Sequence, residues 1–305
     1  MIRDIPDLQQ CNLAVLCTQS QLSVFTIKSL INNGIIPRIL ILPGIEVTAM
    51  RTSEFRVIAE TVHHPASPIE DLAQVHGIPV SHEQLINPKK FAERLLAQSI
   101  NLLLIACFPY KIPPIIRESV CCLNIHPSLL PAYKGPSPLF WQLFNNEPTI
   151  GVSLHFLSDD WDSGELVSQV SVKRLSGLDE ARLNQQLADS AGTLVKHTLT
   201  GNITRPENPH AASYFKAPQD EDFQIKPEWK VQHAFDFMSG TLSWNHDYRF
   251  TAKDGRQVRL RKPITTFIHR DMNQAFIVEG EQVTIALQDG ALLAVLSVRH
   301  KDACS

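Results

Sequence analysis

The segment Asn101–Cys107, with the sequence NLLLIAC, is the feature that most restricts how this chain can fold. An almost wholly apolar run is expected of a strand that is covered on both faces, as in a parallel sheet flanked by helices. Two further apolar runs, Asn12–Cys17 and Ile35–Leu42, enclose a segment whose apolar residues recur at helical spacing. Because strand–helix–strand units form parallel sheets, the first part of the chain is predicted to be an α/β domain with a Rossmann-like parallel sheet.

The second part of the chain has a different composition. Gly201–Pro209 is rich in turn residues and is typical of a linker. Beyond it, short apolar runs are separated by Gly255, Gly280 and Gly290, a pattern typical of short strands in a small barrel or sandwich. Since a chain of 305 residues usually forms two domains, the sequence predicts an N-terminal domain over Met1–Arg205 and a small β-rich domain over residues 206–305.

Charge and cysteine spacing narrow the class of protein. A formal net charge of -3 gives no bulk positive field of the kind that attracts nucleic acid. The six cysteines include no Cys-x-x-Cys pair and no cluster with zinc-ligand spacing, so no metal site is predicted. Met1–Gln10 does not resemble a secretory signal, and no apolar run approaches the ~20 residues of a membrane span. A cytoplasmic protein without a membrane segment is therefore expected.

The stretch Cys121–Asp162 carries the residues best suited to chemistry. Asn124 and His126 follow an apolar run and stand two positions apart, so they project to one side of an extended strand. The amide can donate a hydrogen bond to an oxygen that gains negative charge, and the imidazole can donate likewise or take a proton near neutral pH. Taken alone, the same spacing also fits turn chemistry and an ordinary hydrogen-bonded histidine, so it leaves both interpretations open.

The string NIHPSLLPAYKG resembles the signature of folate-dependent formyltransferases, Asn-x-His-x-Ser-Leu-Leu-Pro. In that family a catalytic aspartate follows in a short Asp-x-Gly turn after the next strand. Here Asp162-Ser163-Gly164 occupies that place, after the strand-like run Val152–Phe156. The resemblance implies formyl transfer from 10-formyltetrahydrofolate to an amine. It also implies that Asn124 and protonated His126 hold the developing oxyanion, while Asp162 keeps His126 charged and oriented.

The resemblance further implies where the folate binds. Its pterin is expected to lie against three segments, one after the NLLLIAC run, one within the signature and one just before Asp162. The cofactor-binding residues implied in this way are Phe108, Pro109, Tyr110, Ser128, Leu129, Leu130, Pro131, Ser158, Asp159, Asp160 and Trp161. The loop Ser158–Trp161 lacks the glycine that the family often has there, and the role of its bulky Trp161 is left open.

The C-terminal residues resemble the small, OB-like barrel domain of two branches of the family. One branch formylates methionyl-tRNA, and the other formylates amino groups of nucleotide-linked sugars. The tRNA branch carries a basic tip in the loop that corresponds to Gly44–His64, where this chain has only Arg51 and Arg56, and it usually has arginine in place of Lys134. Because a tRNA surface needs clustered cations, the predicted acceptor is a small amine on a phosphorylated or nucleotide-linked metabolite. Methionyl-tRNA is the less favoured alternative.

Two other functions stay open at this point. A formyltetrahydrofolate hydrolase would use the same three residues but usually has an N-terminal regulatory domain, which is not expected here. A non-catalytic folate-binding protein would keep the pocket without turnover, and the complete set of Asn124, His126 and Asp162 argues against it. A run of basic residues is interpreted as a solvated strand face or as a phosphate contact: Arg256, Arg259, Arg261, Lys262 and Arg270. The oligomeric state does not follow from the sequence.

Overall fold

A computed structural model describes residues 4–44, 68–204 and 211–297 of the chain. The chain divides into two units. The first comprises Met1–Leu139, Thr149–Lys173 and Asn184–Ala217, and the second comprises Phe140–Pro148, Arg174–Leu183 and Pro218–Ser305. The predicted domain boundary at Arg205 lies outside the described residues and stays a prediction, as does any structure for the loop between residues 45 and 67.

Seven strands form the sheet of the first unit. They are β1 (Leu13–Cys17), β2 (Ile39–Pro43), β3 (Val80–Glu83), β4 (Leu102–Ala106), β5 (Cys121–His126), β6 (Thr149–Phe156) and β7 (Leu166–Lys173). The strand order is β3-β2-β1-β4-β5-β6-β7. Neighbours from β3 to β5 are parallel, whereas β6 is antiparallel to β5 and β7 is antiparallel to β6. The predicted α/β, Rossmann-like domain is confirmed, and its sheet is mixed because the loop between β6 and β7 is too short for a parallel crossover.

Helices lie between and after these strands in the sequence. They are α1 (Gln21–Asn32), α2 (Pro68–His76), α3 (Pro88–Ala97), α4 (Pro114–Ser119), α5 (Pro138–Phe144) and α6 (Glu180–Leu199). Their beginnings follow from local chemistry: the Ser20 side chain caps α1, and the Asn87 side chain caps α3 just before a proline at its first turn. The helices α4 and α5 are too short to show a helical period in the sequence, which is why the pattern analysis does not predict them.

The core of the first unit fixes the position of the parallel strands. Every residue of β1 and β4 is buried, as expected for strands covered on both faces. On one face, a buried cluster joins Phe91 and Leu95 of α3 to Ile116 of α4. The carboxyl ends of β1, β4 and β5 therefore lie at one edge of a packed sheet, which is where open α/β sheets place their ligand sites.

The second unit is rich in strands, as predicted. It contains α7 (Val231–Gly240) and β8 (Gln224–Ile225), β9 (Tyr248–Thr251), β10 (Gln257–Ile268), β11 (Phe276–Glu279), β12 (Gln282–Leu287) and β13 (Gly290–Leu296). The sheet has the order β11-β12-β13-β10-β9-β8. The strand β10 is much longer than the run Gln257–Leu260 that the sequence suggests, because Pro263 lies at a bulge where the pairing register shifts. The OB-like character of this unit stays a prediction.

Neither a membrane span nor a metal centre is found among the described residues. No helix in that part of the chain is long and apolar enough to cross a bilayer. No group of three or more His, Cys, Asp or Glu side chains there is arranged to hold a metal ion. The cytoplasmic location stays a prediction.

Candidate active site

Three loops of the first unit converge on one region: the loop after β4, the loop after β5, and the loop that joins β6 to β7. Each contains a residue other than glycine with a left-handed backbone: Cys107 at φ 65°, Tyr133 at φ 58° and Asp162 at φ 51°. Such residues are uncommon and concentrate at functional sites, where the surrounding structure holds them in place. Such residues also occur elsewhere in the described chain, so their presence in all three loops supports a candidate site here without defining it alone.

The three residues singled out by the signature lie together in this region. Asn124 and His126 project from β5, and Asp162 reaches them from the β6–β7 loop. The Oδ1 atom of Asp162 lies 3.4 Å from Nδ1 of His126 and 3.5 Å from Nδ2 of Asn124. A single oxygen atom thus faces both side chains. Their catalytic roles stay predictions, but the geometry that those roles require is present.

A backbone N–H and a glycine hold Asp162 in place. The N–H of Gly135 donates to Oδ2 of Asp162 over 2.9 Å, which leaves Oδ1 to face the other two residues. Two positions after Asp162, a Cβ on Gly164 would lie 1.6 Å from the carbonyl oxygen of Phe156. Only glycine fits there, which gives the Asp-x-Gly turn a physical reason: the chain must pass directly over the end of β6.

His126 is buried, and both of its ring nitrogens face oxygen atoms. Its Nε2 lies 2.9 Å from the carbonyl oxygen of Tyr133. Because a carbonyl oxygen can only accept, Nε2 must carry the hydrogen of this bond. The other nitrogen faces Asp162. The ring is thus held between the loop after β5 and the loop after β6.

The structure adds His155, which the sequence analysis treats only as part of a strand. His155 of β6 pairs in register with Asn124 of β5, and its Nε2 lies 3.0 Å from the Asn124 amide nitrogen. Burial lowers the pKa of His155 to about 4, with a further lowering from nearby His126 that Asp162 opposes. The sequence signal that points to it is the alternation of Ser153 and His155 on an otherwise apolar strand.

A buried polar network holds the loop after β5. The Ser153 hydroxyl donates to the carbonyl of Ser128 over 2.6 Å and accepts from the N–H of Leu130 over 3.0 Å. The side-chain amide of Gln169 donates to the carbonyl of Leu130 over 3.0 Å and to the Ser153 hydroxyl over 2.8 Å. These bonds from β6 and β7 satisfy groups that would otherwise be buried without partners, so the loop backbone is rigidly placed.

The sequence similarities agree with this geometry. Residues 57–199 match the family described as formyl transferase. A methionyl-tRNA formyltransferase from Ruminiclostridium cellulolyticum is 26% identical over 218 residues, which are 69% of this chain and 70% of that protein. A methionyl-tRNA formyltransferase from Streptococcus pyogenes is 22% identical over 283 residues, which are 90% of this chain and 87% of that protein.

The part of the chain that carries the signature thus matches the folate-dependent formyltransferase family. Members of this family are folate-dependent enzymes that transfer formyl groups, so the chain is an enzyme of that class. Among solved structures, HypX from Aquifex aeolicus in complex with tetrahydrofolic acid shares its fold, with a TM-score of 0.55 and 15% identity. That alignment covers 93% of this chain, whereas the chain spans only 43% of the length of HypX.

In this formyltransferase, two of the segments implied to bind the cofactor are linked to each other. The ammonium of Lys111, in the loop after β4, lies 6.0 Å from the centre of the Trp161 ring in the β6–β7 loop. Arg117 of α4 is buried and lies 2.5 Å from the carboxylate of Asp159, which is 87% exposed. In the loop after β4, Phe108 and Tyr110 pack edge to face, with ring centres 5.4 Å apart.

The remaining cofactor-binding candidates differ in exposure. Ser128, Leu129 and Leu130 are buried in the formyltransferase, and the carbonyls of Ser128 and Leu130 and the N–H of Leu130 are bonded within the protein. Their contact with the cofactor stays a prediction. In the β6–β7 loop, by contrast, Trp161 is 45% exposed, and the Ser158 hydroxyl donates to the carbonyl of Asp160 over 2.7 Å. The loop thus combines an ordered backbone with an accessible aromatic ring.

Proposed function

We propose that the enzyme transfers the formyl group of 10-formyltetrahydrofolate to an amine, and that Asn124, His126 and Asp162 carry out the transfer. The observation that carries this proposal is the placement of one oxygen, Oδ1 of Asp162, within 3.5 Å of nitrogen atoms of both Asn124 and His126. Two donors that can reach one oxygen atom can also bind the formyl oxygen as it gains negative charge.

The lengths of these contacts support an exchange of partners. At 3.4 Å and 3.5 Å they exceed the range of about 2.7–3.2 Å that is usual for hydrogen bonds, whereas the other contacts of Asn124 and His126 are 3.0 Å and 2.9 Å. The hydrogens that face Asp162 are therefore the loosely held ones. These are the hydrogens proposed to turn to the formyl oxygen, while the tight contacts keep the side chains in position.

Each residue has a distinct task in the proposed reaction. The amine nitrogen attacks the formyl carbon, and a new C–N bond forms as the formyl oxygen becomes negative. Asn124 and protonated His126 stabilise that oxygen, and Asp162 compensates the imidazolium charge. The bond from the carbon to N10 of the folate then breaks, and the proton lost by the amine is passed through Asp162 to the departing nitrogen.

The proposed folate pocket lies between the loop after β4 and the β6–β7 loop. The aromatic rings of Tyr110 and Trp161 offer apolar surface for a flat pterin, and backbone groups of Ser158–Asp160 supply polar contacts, while the buried residues Phe108 and Ser128–Leu130 support the pocket. Formyl transferases use folate as a family, which supports this class of ligand.

For the acceptor, we propose the amino group of methionyl-tRNA. From the sequence alone, a small amine is the favoured acceptor because of the net charge and the weakly basic loop Gly44–His64. The relatives favour the alternative: one methionyl-tRNA formyltransferase aligns with 90% of this chain and therefore with most of both units. A whole-chain similarity outweighs the loss of one basic loop, because a chain of negative net charge can still present a basic face.

The second unit offers such a face. Arg259 of β10 lies directly opposite Arg249 of β9, between pairs whose side chains are buried. Like charges opposite one another repel, and a bound phosphate would relieve that repulsion. Arg256 and Arg261 differ, since they pair with Asp254 and Asp247. Of the predicted basic run, Arg259 is thus the better candidate for a phosphate contact.

A small phosphorylated amine is the second candidate acceptor. The observation in its favour is Lys134, whose ammonium donates to the Ser163 hydroxyl over 2.9 Å, next to Asp162. A single cation at this position suits one phosphate group better than a polyanion that needs many contacts.

An acceptor screen tests both parts of the proposal. The purified enzyme is supplied with 10-formyltetrahydrofolate and with methionyl-tRNA, amino sugars, amino acids or glycinamide ribonucleotide, over a salt series. Formylation of methionyl-tRNA that weakens steeply with salt is expected, and Arg259→Gln should weaken it more than the paired control Arg256→Gln. Formylation of a small amine alone would overturn the acceptor. Release of formate without any acceptor would indicate a hydrolase, and folate binding without turnover would indicate a binding protein.

A further inference from the structure

The segment Ser213–Phe215, which we call the strap, runs beside the loop after β5. The two form a parallel bridge between Lys134 and Tyr214. The Lys134 N–H donates to the carbonyl of Ser213 over 3.0 Å, and the Phe215 N–H donates to the carbonyl of Lys134 over 2.9 Å. At one end, the Ser213 N–H donates to the carbonyl of Pro131 over 3.2 Å. The strap thus pairs like a short strand with the loop after β5, which Ser153 of β6 and Gln169 of β7 hold at Ser128 and Leu130.

Side chains strengthen this pairing. The Ser213 hydroxyl accepts a hydrogen bond of 2.9 Å from the N–H of Tyr133. The Phe215 ring stacks on the Tyr133 ring, with centres 5.3 Å apart and planes 14° apart. The contact is also close at Gly135, where an added Cβ would lie 2.1 Å from the carbonyl oxygen of Phe215. No side chain fits between the strap and the loop at that point.

The part of the loop that the strap binds is the part that contacts the active site. The carbonyl of Tyr133 accepts from Nε2 of His126 over 2.9 Å, and the N–H of Gly135 donates to Oδ2 of Asp162 over 2.9 Å. Tyr133 has a left-handed backbone at φ 58°, which costs free energy in a residue with a side chain. The bond from its N–H to Ser213 and the stack on Phe215 offset that cost.

We infer that the strap is a positioning element of the active site: Ser213 and Phe215 hold Tyr133 and Gly135, whose backbone groups orient His126 and Asp162. The inference rests on the proposed function for the roles of His126 and Asp162. The contacts that Ser213 and Phe215 make with Pro131, Tyr133 and Lys134 all lie in the loop, so both residues are inferred to act through it. A displacement of about 1 Å at a reacting centre can cost on the order of a hundredfold in rate, so a small side-chain bond here has a measurable effect.

The test uses Ser213→Ala and Phe215→Ala in the full chain, with Ser213→Thr as the conservative variant. Tyr214→Ala is the matched control, because Tyr214 lies between them but is 56% exposed. We expect kcat to fall about tenfold to a hundredfold in the two alanine variants while KM for the folate substrate stays within about twofold. Ser213→Thr should restore kcat, and Tyr214→Ala should leave it unchanged. Thermal unfolding identifies any variant whose loss is only a loss of fold.

Two measurements that do not depend on turnover accompany the assay. Amide hydrogen exchange of the peptide around Tyr133 and Gly135 should be faster in Ser213→Ala, and the 15N signal of the His126 Nε2 should move. Unchanged exchange or an unmoved signal would overturn the inference, as would wild-type kcat in a variant whose loop exchanges faster. If the wild-type chain transfers no formyl group to any acceptor, the proposed function fails instead, and the His126 signal still decides whether the strap positions the ring.

Discussion

The amide nitrogen of Asn124 lies 3.0 Å from Nε2 of His155, and this contact determines which way the Asn124 amide points. The Nδ1 atom of His155 lies 2.8 Å from the carbonyl oxygen of Phe156, which can only accept, so Nδ1 carries the proton. Nε2 must then accept, and it is the NH2 side of Asn124 that faces it. The amide is thereby oriented with its donors toward the oxygen that it shares with His126.

We therefore expect His155→Leu to lower kcat because the Asn124 amide loses the acceptor that orients it. The loss should be smaller than that of Asn124→Ala, which removes the donor itself and should cost ~10²–10³ in kcat with folate binding intact. His155→Gln retains an acceptor and should keep more activity than His155→Leu. Steady-state kinetics of the three variants, with folate affinity measured separately, check this order. Equal activity in His155→Leu and wild type would contradict it.

The same histidine should make stability depend on pH. Burial lowers the pKa of His155 to about 4, against an ordinary value of 6.5. Between these values the unfolded chain binds a proton that the folded chain does not, so the free energy of unfolding decreases as the pH falls from about 6.5 to about 4. His155→Gln cannot titrate, so its unfolding free energy should fall less steeply across that window. Denaturant unfolding at several pH values measures both slopes; parallel slopes would disprove the assignment.

How much of the site is predictable from the sequence depends on the range of the contacts. Asn124 and His126 are predictable because strand alternation places them on one side of β5, and Asp162 is predictable because its Asp-x-Gly turn carries a local signature. His155 is not predictable because its partner, Asn124, lies on another strand, and the polarity of a histidine alone does not reveal how β5 and β6 pair. The contact between the strap and the loop is not predictable for the same reason, because no sequence periodicity pairs Ser213 with Tyr133, 80 positions earlier.

Some strands of the fold are likewise predictable from the sequence, and others are not. The buried parallel strands are predictable from composition, because a strand covered on both faces is apolar throughout. The antiparallel strand β7 is not, since its buried polar residues Ser168 and Gln169 interrupt the apolar pattern. Gln169 is polar because its side chain donates a hydrogen bond to the loop after β5. The same residue therefore interrupts the apolar pattern of the strand and helps to hold the candidate site.

The ion pair between Arg117 and Asp159 should control folate binding. Arg117 is buried on α4, whereas Asp159 belongs to the exposed β6–β7 loop proposed to bind the pterin. Asp159→Asn removes the carboxylate that ties the loop to α4, so KM for the folate substrate should rise several-fold with little change in kcat. Glu118, next to Arg117 on α4, is also exposed, and Glu118→Gln is the matched control. In Arg117→Met the Asp159→Asn change should have less effect, because the pair is already broken; additive effects would show that the two residues act separately.

The last prediction concerns Gly164, which allows the loop carrying Asp162 to cross the end of β6. An added Cβ would lie 1.6 Å from the carbonyl oxygen of Phe156, and backbone atoms cannot move aside as a flexible side chain can. Gly164→Ala should therefore shift the loop and draw Asp162 away from His126, lowering kcat by about a hundredfold or more, while folate binding weakens less.

Gly177→Ala provides the control for that experiment. Gly177 has φ +73° and no heavy atom within 4 Å of an added Cβ, so alanine there strains the backbone without a collision. It should cost about 1–2 kcal/mol of stability and leave kcat unchanged. If Gly164→Ala loses stability to the same extent as Gly177→Ala but keeps wild-type kcat, then the position of Asp162 does not depend on the tight turn. In that case Asp162 would be held by the contacts of its carboxylate, of which the bond to the N–H of Gly135 is the shortest.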